Sequence, residues 1–385
     1  MFDFIFHNST KIIFGKKALE NFAPEIPVES KIMITYGGTS ARRYGVLDKV
    51  KTALGGYDLT EFGGIEPNPE YETLMKGVKL AQKSKINFLL AVGGGSVIDG
   101  AKFMAAAIPF KEEPAFLLEN AGRNIARALP VGTVVTLPAS GSEMNNRAVI
   151  TRKALKLKQA IMNDLLYPKF SVCDPTLTFT LPVKFTGNGV VDTFVHVLEQ
   201  YLTYPVNGKV QDRLAEGLLL MLIEEGPRAL TDPKDYDTRA NLMWGATLGL
   251  NGLIGAGVPQ DWAAHRGGYE LTVLYGLDHA QTLACLVPAM MKIRAGEKKE
   301  KLLQYAERIW GIKSGDENKR IDEAINKTRE FFESMGLPTR LRAYGIEKKS
   351  IDEILEKLTE HGMTNLGERK EVTLEIMRKI LENCL

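Results

Sequence analysis

The sequence predicts two halves, a doubly wound α/β domain over 1–181 and an all-helical domain over 182–385. Three observations carry this. Apolar runs that end in glycine or small residues alternate with helical patterns before residue 180, long amphipathic segments replace them after Leu181-Pro182, and 385 residues exceed what one hydrophobic core comfortably holds.

In chain order, MFDFIFHNSTKIIFG alternates like a strand and lacks the charged start, long apolar core and cleavage site of a leader. KIMITYGG (31–38), INFLLAVGGG (86–95) and TVVTLPAS (133–140) are wholly apolar, as expected for strands covered on both faces of a parallel sheet. Helical patterns then occupy 188–203, 208–226, 236–254, 260–275, 297–310, 318–335, 349–360 and 371–383. Pro182, Pro205, Pro227, Pro259 and Pro338 read as their boundaries. With no repeat and no low-complexity linker between them, the halves are expected to share a cleft. The charges nearly cancel, 49 Lys and Arg against 47 Asp and Glu, with no basic block for nucleic acid. No run of about eighteen apolar residues appears, so a soluble, cytoplasmic protein is expected.

Asp192 and His196 lie four apart in GNGVVDTFVHVLEQ, and on a helix they share a face. Such a pair is often a solvated helix face, but Val190, Val191, Phe194, Val195 and Leu198 flank this one. A buried carboxylate beside a buried imidazole needs a partner charge. Of the five histidines, at 7, 196, 265, 279 and 361, His265 and His279 follow in QDWAAHRGGYELTVLYGLDHAQ. The four residues make a candidate site for one divalent metal. Three imidazoles and a carboxylate suit iron(II) or zinc, whereas calcium or magnesium would ask for more oxygen. Cys173, Cys285 and Cys384 are scattered and read as buried apolar residues, Cys384 in a frayed terminus.

The glycine-rich segments fall at strand ends, where open parallel sheets bind ligands. Gly93-Gly94-Gly95-Ser96 precedes the helical VIDGAKFMAAA, so backbone N–H groups at the helix start would face an anion such as a pyrophosphate. It is also compatible with a tight turn alone. Tyr36-Gly37-Gly38-Thr39-Ser40 and Ala139-Ser140-Gly141-Ser142-Glu143 repeat the arrangement, and neither GxGxxG nor GxxxxGK[ST] is present.

GGGS with Asp99, the turn around 140–143, then Asp174, Pro182, Asp192, Glu199, His265 and His279 run in the order seen in iron-containing alcohol dehydrogenases. The chain resembles that family over almost its whole length, in the butanol dehydrogenase and NADPH-dependent aldehyde reductase branch. FGGIEPNPEYETLMKGVKLA (62–81) and NGLIGAGVPQDWA (251–263) are branch-like. The resemblance implies a Rossmann-like N-terminal domain and an all-α C-terminal domain, the fold shared with dehydroquinate synthase, with the active site in the cleft. It implies Asp192, His196, His265 and His279 as ligands of Fe2+ or Zn2+. It places Gly38, Ser40, Asn68, Gly94, Gly95, Ser96, Thr136, Asn145, Lys158 and Thr180 along the dinucleotide, joined by Gly37 and Ser140 of the same turns, with Asp99 beside the nicotinamide. It also implies a homodimer, and the alternating segment 2–8 could pair edge to edge with a second copy.

Two positions depart from the family pattern. Tyr269 stands where relatives commonly carry a further histidine, which touches proton delivery rather than the metal, and Gly187 replaces a small aliphatic residue, which touches packing. No acid follows KIMITY, whereas Thr39, Ser40, Arg42 and Arg43 suit a 2′-phosphate, so NADP(H) is favoured over NAD(H). The expected reaction is hydride transfer between nicotinamide and a small aldehyde such as butanal, the metal polarising the carbonyl, with Tyr269 a candidate proton relay and Trp262 a candidate substrate contact. A glycerol dehydrogenase-like or dehydroquinate synthase-like enzyme and a non-catalytic nucleotide sensor are the competing readings.

Overall fold

A computed structural model describes residues 1–385. Its main strands are β1 (Lys11–Phe14), β2 (Lys31–Tyr36), β3 (Asp58–Phe62), β4 (Phe88–Gly94), β5 (Val131–Leu137), β6 (Arg147–Arg152), β7 (Leu157–Met162) and β8 (Phe170–Cys173). The helices α1 (Ser40–Arg43), α2 (Val46–Ala53), α3 (Tyr71–Lys83), α4 (Gly95–Ala107) and α5 (Ala115–Glu119) intersperse them. Then follow α6 (Val183–Tyr201), α7 (Lys209–Thr231), α8 (Tyr236–Gly249), α9 (Ala263–Tyr275), α10 (His279–Ile293), α11 (Lys299–Trp310), α12 (Glu317–Ser334), α13 (Ser350–Glu360) and α14 (Leu374–Asn383).

Six strands form one parallel sheet in the order β1-β8-β5-β4-β2-β3, and β6 and β7 form a separate antiparallel hairpin. The apolar runs are explained by burial on both faces. Along β4, Leu89 and Ala91 join a core that includes Leu74, Ile98 and Phe103, while Phe88, Leu90 and Val92 join another with Phe22, Leu47 and Val50. The Rossmann-like expectation holds, and the C-terminal region is helical apart from a two-stranded pairing of Asn365–Leu366 with Val372–Thr373.

The chain forms two compact units, one of residues 7–181 with 233–251 and the other of 1–6, 182–232 and 252–385. The expected continuous halves, 1–181 and 182–385, therefore exchange two segments. Helix α8 packs in the α/β unit, where Met243 enters the core, Thr247 Oγ1 donates to Glu143 Oε1 at 2.6 Å and Trp244 lies edge-on to Phe14. Periodicity reveals that a helix has an apolar face; it does not say which core that face meets.

Other differences have similar causes. Residues 1–10 form no strand, since alternation needs a ladder to pair with; Phe2 N donates to Gly257 O at 2.9 Å, and Phe2, Phe4, Ile5 and Phe6 stay exposed. Helix α10 escapes the periodicity reading because it is buried from Thr282 to Met291 and so lacks a polar stripe, although the Asp278/Gln281 capping box marks its start. Pro227 lies inside α7 rather than at a boundary. Gly187 is no packing fault, because a Cβ there would overlap the Met335 carbonyl oxygen. Cys384 is fully buried, its thiol donating to Cys285 O at 3.3 Å, so the C-terminus is docked rather than frayed. No helix is long and apolar enough to cross a membrane.

Candidate active site

In the helical unit, α6 carries Asp192, His196 and Glu199 at i, i+4 and i+7, one face over two turns. All three are buried among Val191, Phe194, Val195 and Leu198. Asp192 Oδ1 stands 3.7 Å from His196 Nε2 and 3.7 Å from His279 Nε2. Donor atoms of Asp192, His265 and His279 all lie within 4.8 Å of one another. Tetrahedral ligands about 2.1 Å from a metal stand about 3.4 Å apart, so the donor set fits a single divalent ion in both spacing and chemistry. The other two histidines lie elsewhere: His7 is exposed and His361 Nδ1 meets Glu270 Oε1 at 2.8 Å.

Each donor is aimed by its element. His265 is on the first turn of α9, where Asp261 Oδ1 accepts from Ala263 N at 3.0 Å and Trp262 adopts a left-handed φ of 60°. His279 opens α10, whose cap Asp278 is held by Asn188 of α6 at 3.1 Å and Lys184 at 2.7 Å. Glu199 accepts from Ala264 N at 2.7 Å through Oε1 and closely contacts His265 Nδ1 through Oε2. This is the carboxylate–imidazole arrangement that presents Nε2 to a metal. Glu199 was absent from the expected site residues, although its two-turn spacing from Asp192 on an apolar helix was legible. Burial first, then the neighbouring Asp261, raises the Glu199 pKa, while Ala264 N, Lys298 and the His265 backbone favour its carboxylate.

Beside Glu199 lies a buried ionic cluster. Arg294 Nη1 contacts Asp261 Oδ2 at 2.5 Å, Lys298 contacts Asp261 and Glu368, and Arg294 also reaches Glu368 at 3.4 Å and Glu371. Burial works against ionisation of Asp261, but Lys298, a Glu368 hydrogen bond and Arg294 outweigh it and hold that carboxyl well below its usual range. Burial and the hydrogen bond to Asp261 push Glu368 up to about 7.

Trp262 lies 5.2 Å from the His265 ring and 6.2 Å from the His196 ring, its Nε1 donating to Gln260 Oε1 at 2.9 Å. Tyr269, one turn beyond His265, has its ring 6.2 Å from that of His279.

In the α/β unit, the three glycine turns follow β2, β4 and β5, which are neighbours in one parallel sheet, so all three open at its carboxyl edge. Gly94 and Gly95 are required by close approach: a Cβ on Gly94 would come 3.0 Å from that of Leu137, and one on Gly95 would overlap Ser140 Oγ. Helix α4 begins at Gly95, leaving its first N–H groups at this edge. Ser96 Oγ accepts from Asn68 N at 3.2 Å, and Lys158 Nζ, from the β6–β7 hairpin, donates to Asn68 Oδ1 at 2.8 Å. Asn68, Ser96 and Lys158 are thus brought together. Thr136 is near the end of β5, Gly37, Gly38 and Ser40 follow β2, and Thr180 is exposed beyond a short turn at Pro175–Thr178.

Two groups of side chains at this edge already have partners within the protein. Asp99 has both oxygens engaged by the protein, Oδ1 accepting from Ser142 Oγ at 2.6 Å and Oδ2 from Val149 N at 2.9 Å; burial raises its pKa against the pull of Lys102. And although no acid follows β2 in sequence, the parallel register sets Glu61 opposite Ile34, where it takes Arg42 at 2.8 Å and also binds Lys51. Arg42 Nη2 also donates to Tyr36 OH at 2.7 Å, and Arg43 lies 5.8 Å from the ring of Tyr44. A neighbouring strand supplied what local sequence could not reveal.

Comparison with known proteins agrees with both units. Residues 9–175 match the model for iron-containing alcohol dehydrogenases, and 186–385 match the C-terminal model of the same family. The chain is 55% identical to the NADPH-dependent aldehyde reductase YqhD of Escherichia coli, over 99% of both chains. It is 34% identical to NADH-dependent butanol dehydrogenase A of Clostridium acetobutylicum, again over 99% of each. The crystal structure of YqhD from E. coli K-12 superposes with a TM-score of 0.99 at 54% identity, covering 100% of this chain and 99% of that one.

Proposed function

The chain belongs to the iron-containing alcohol dehydrogenase family, and from that premise we propose that it interconverts a short- or medium-chain aldehyde and its primary alcohol with NADP(H) and one Fe2+ or Zn2+. The observation that carries this reading is the convergence of Asp192, His265 and His279 donors, with His196 beside them, in a chain so similar to an NADPH-dependent aldehyde reductase. When bound, the metal polarises a carbonyl oxygen and the reduced nicotinamide supplies a hydride, stabilisation typically of several kcal/mol in the transition state.

The chain's own residues do the rest. Asp192, His196, His265 and His279 hold the ion, and Glu199 keeps the Nδ1 side of His265 occupied so that Nε2 faces it. Gly94, Gly95, Ser96 and the start of α4 take the pyrophosphate, flanked by Asn68, Lys158, Thr136, Ser140, Asn145 and Thr180. Gly37, Gly38 and Ser40 leave room for a 2′-phosphate, and Arg42 exchanges one anionic partner for another. Asp99 acts by fixing the Ser142 hydroxyl and the Val149 backbone N–H at that edge. Trp262 forms an apolar wall beside the imidazoles, suited to an alkyl chain rather than a polyol.

Metal-stripped protein resupplied with iron(II) or zinc should oxidise NADPH faster than NADH when butanal is present, followed by nicotinamide absorbance. Silence with both cofactors and both metals would end the proposal. Tyr269 relays the proton that the developing alcohol needs; Tyr269→Phe should keep its metal content but lower the turnover rate, and an unchanged turnover rate and pH profile remove Tyr269 from the mechanism.

The enzyme works in the cytoplasm as a homodimer, a reading supported by three buried free thiols and by the exposed side chains of Phe2, Phe4 and Ile5. Deletion of 1–8 should shift the sedimentation coefficient to that of a monomer; a persistent dimer refutes this route.

A further inference from the structure

The most constrained charge in the α/β unit belongs to a residue outside the expected site. Lys102, on α4, is completely buried, and its ammonium lies within hydrogen-bond distance of five oxygens. These are Ser142 O at 2.6 Å, Asn145 O at 2.8 Å, Arg147 O at 2.9 Å, Ser142 Oγ at 3.0 Å and Asn145 Oδ1 at 3.1 Å. Three N–H bonds cannot each own one of five acceptors, so the group is held as a charge in an oxygen cage rather than as a set of discrete donors. Three of the five are main-chain carbonyls of one loop. A lysine head is a compact point charge and suits such a cage, whereas a planar guanidinium does not.

The cage is built from the third glycine turn. Gly141 takes a φ of 60°, Asn145 Nδ2 donates back to Gly141 O at 2.9 Å, and Ser142 Oγ donates to Asp99, one turn before Lys102 on α4. Glu143 is buried beside it and engaged by Thr247. Without a cation, the carbonyls of Ser142, Asn145 and Arg147 would converge on one another with no donor, an arrangement that no buried loop keeps.

We infer that Lys102 is a tethered monovalent cation, filling a five-oxygen site whose occupation shapes the 140–147 loop into the form that receives the dinucleotide. It is a positioning residue: it touches the loop that carries Ser140 and Asn145 and acts on the nucleotide through them. Burial lowers its pKa to about 8 while Asp99 and Glu143 act the other way, which keeps the ammonium protonated at neutral pH.

The test uses the full-length, metal-loaded protein and reads NADPH affinity by the fluorescence of the bound nucleotide. Lys102→Ala removes three methylenes and the ammonium, the atoms of n-propylammonium. The variant should bind NADPH about tenfold or more weakly, as expected for loss of buried hydrogen bonds to a charge. Tens of millimolar n-propylammonium should restore affinity, and 1-propanol, of matching size but uncharged, should not. A residue needed only for packing would respond to both or to neither. If Lys102→Ala does not fold, Lys102→Met fills the space without the charge and decides the matter: weak NADPH binding supports the inference, and wild-type binding overturns it. A folded Lys102→Ala that ignores propylammonium also overturns it. The inference rests on the nicotinamide reading only through this readout, since wild type that fails to bind NADPH would end that reading, whereas Lys102→Met binding like wild type would end this one.

Discussion

Alanine at His265 is expected to empty the metal centre and lower aldehyde reduction by three orders of magnitude or more, on the order of the several kcal/mol a Lewis acid supplies. His265 is buried and its donor belongs to the group within 4.8 Å of the others, so nothing else on α9 can substitute. The graded companion is Glu199→Gln. Glutamine can still accept from Ala264 N, but its NH2 would then donate to His265 Nδ1 and force the proton onto Nε2, the atom that must bind metal. Metal affinity should fall by about 10- to 100-fold, the usual effect of losing such a carboxylate. Metal content by plasma emission, measured with circular dichroism to confirm folding, checks both. A fully loaded His265→Ala would remove this residue from the ligand set.

Arg294→Met should be the most destabilising single change outside the centre. Arg294 and Lys298 are the cations paired with Asp261, Glu368 and Glu371, and the Arg294, Lys298, Asp261 and Glu368 side chains are all nearly inaccessible to water. Breaking a buried pair leaves an uncompensated charge, at a cost of about 3–5 kcal/mol. The pH dependence has a definite sign. Glu368 is already pushed up to about 7, so between its unfolded range and that value the folded state binds the extra proton and stability falls as pH rises. Losing a cation raises the folded carboxyl values further. The gap in thermal midpoint between wild type and Arg294→Met should therefore be wider at pH 8 than at pH 5; equal gaps would rule out the carboxylates as its cause. Because Arg294 caps α10 and Asp261 stabilises the start of α9, the variant should also bind metal more weakly.

Much of this was legible beforehand because the relevant chemistry is local. Strands β2, β4 and β5 are apolar on both faces because helices cover both, and an uninterrupted apolar run ending in glycine has few other meanings. Asp192 and His196 share a face by helical geometry alone. What escaped reading was non-local. Helix α10 is buried all round and so offers no periodicity, Glu61 reaches Arg42 from a neighbouring strand, and the oxygens that cage Lys102 come from 40 to 45 residues away.

The sequence by itself determined the class of fold, the shared helix face of Asp192 and His196 and the three glycine turns, since period, residue type and spacing encode each within one element. Only the tertiary structure decided which core α8 joins, which carboxylate orients His265, and where the buried cations Lys102, Arg294 and Lys298 find their oxygens. Burying a charge is affordable only where several distant segments supply partners at once, and that coincidence in space has no signature along the chain.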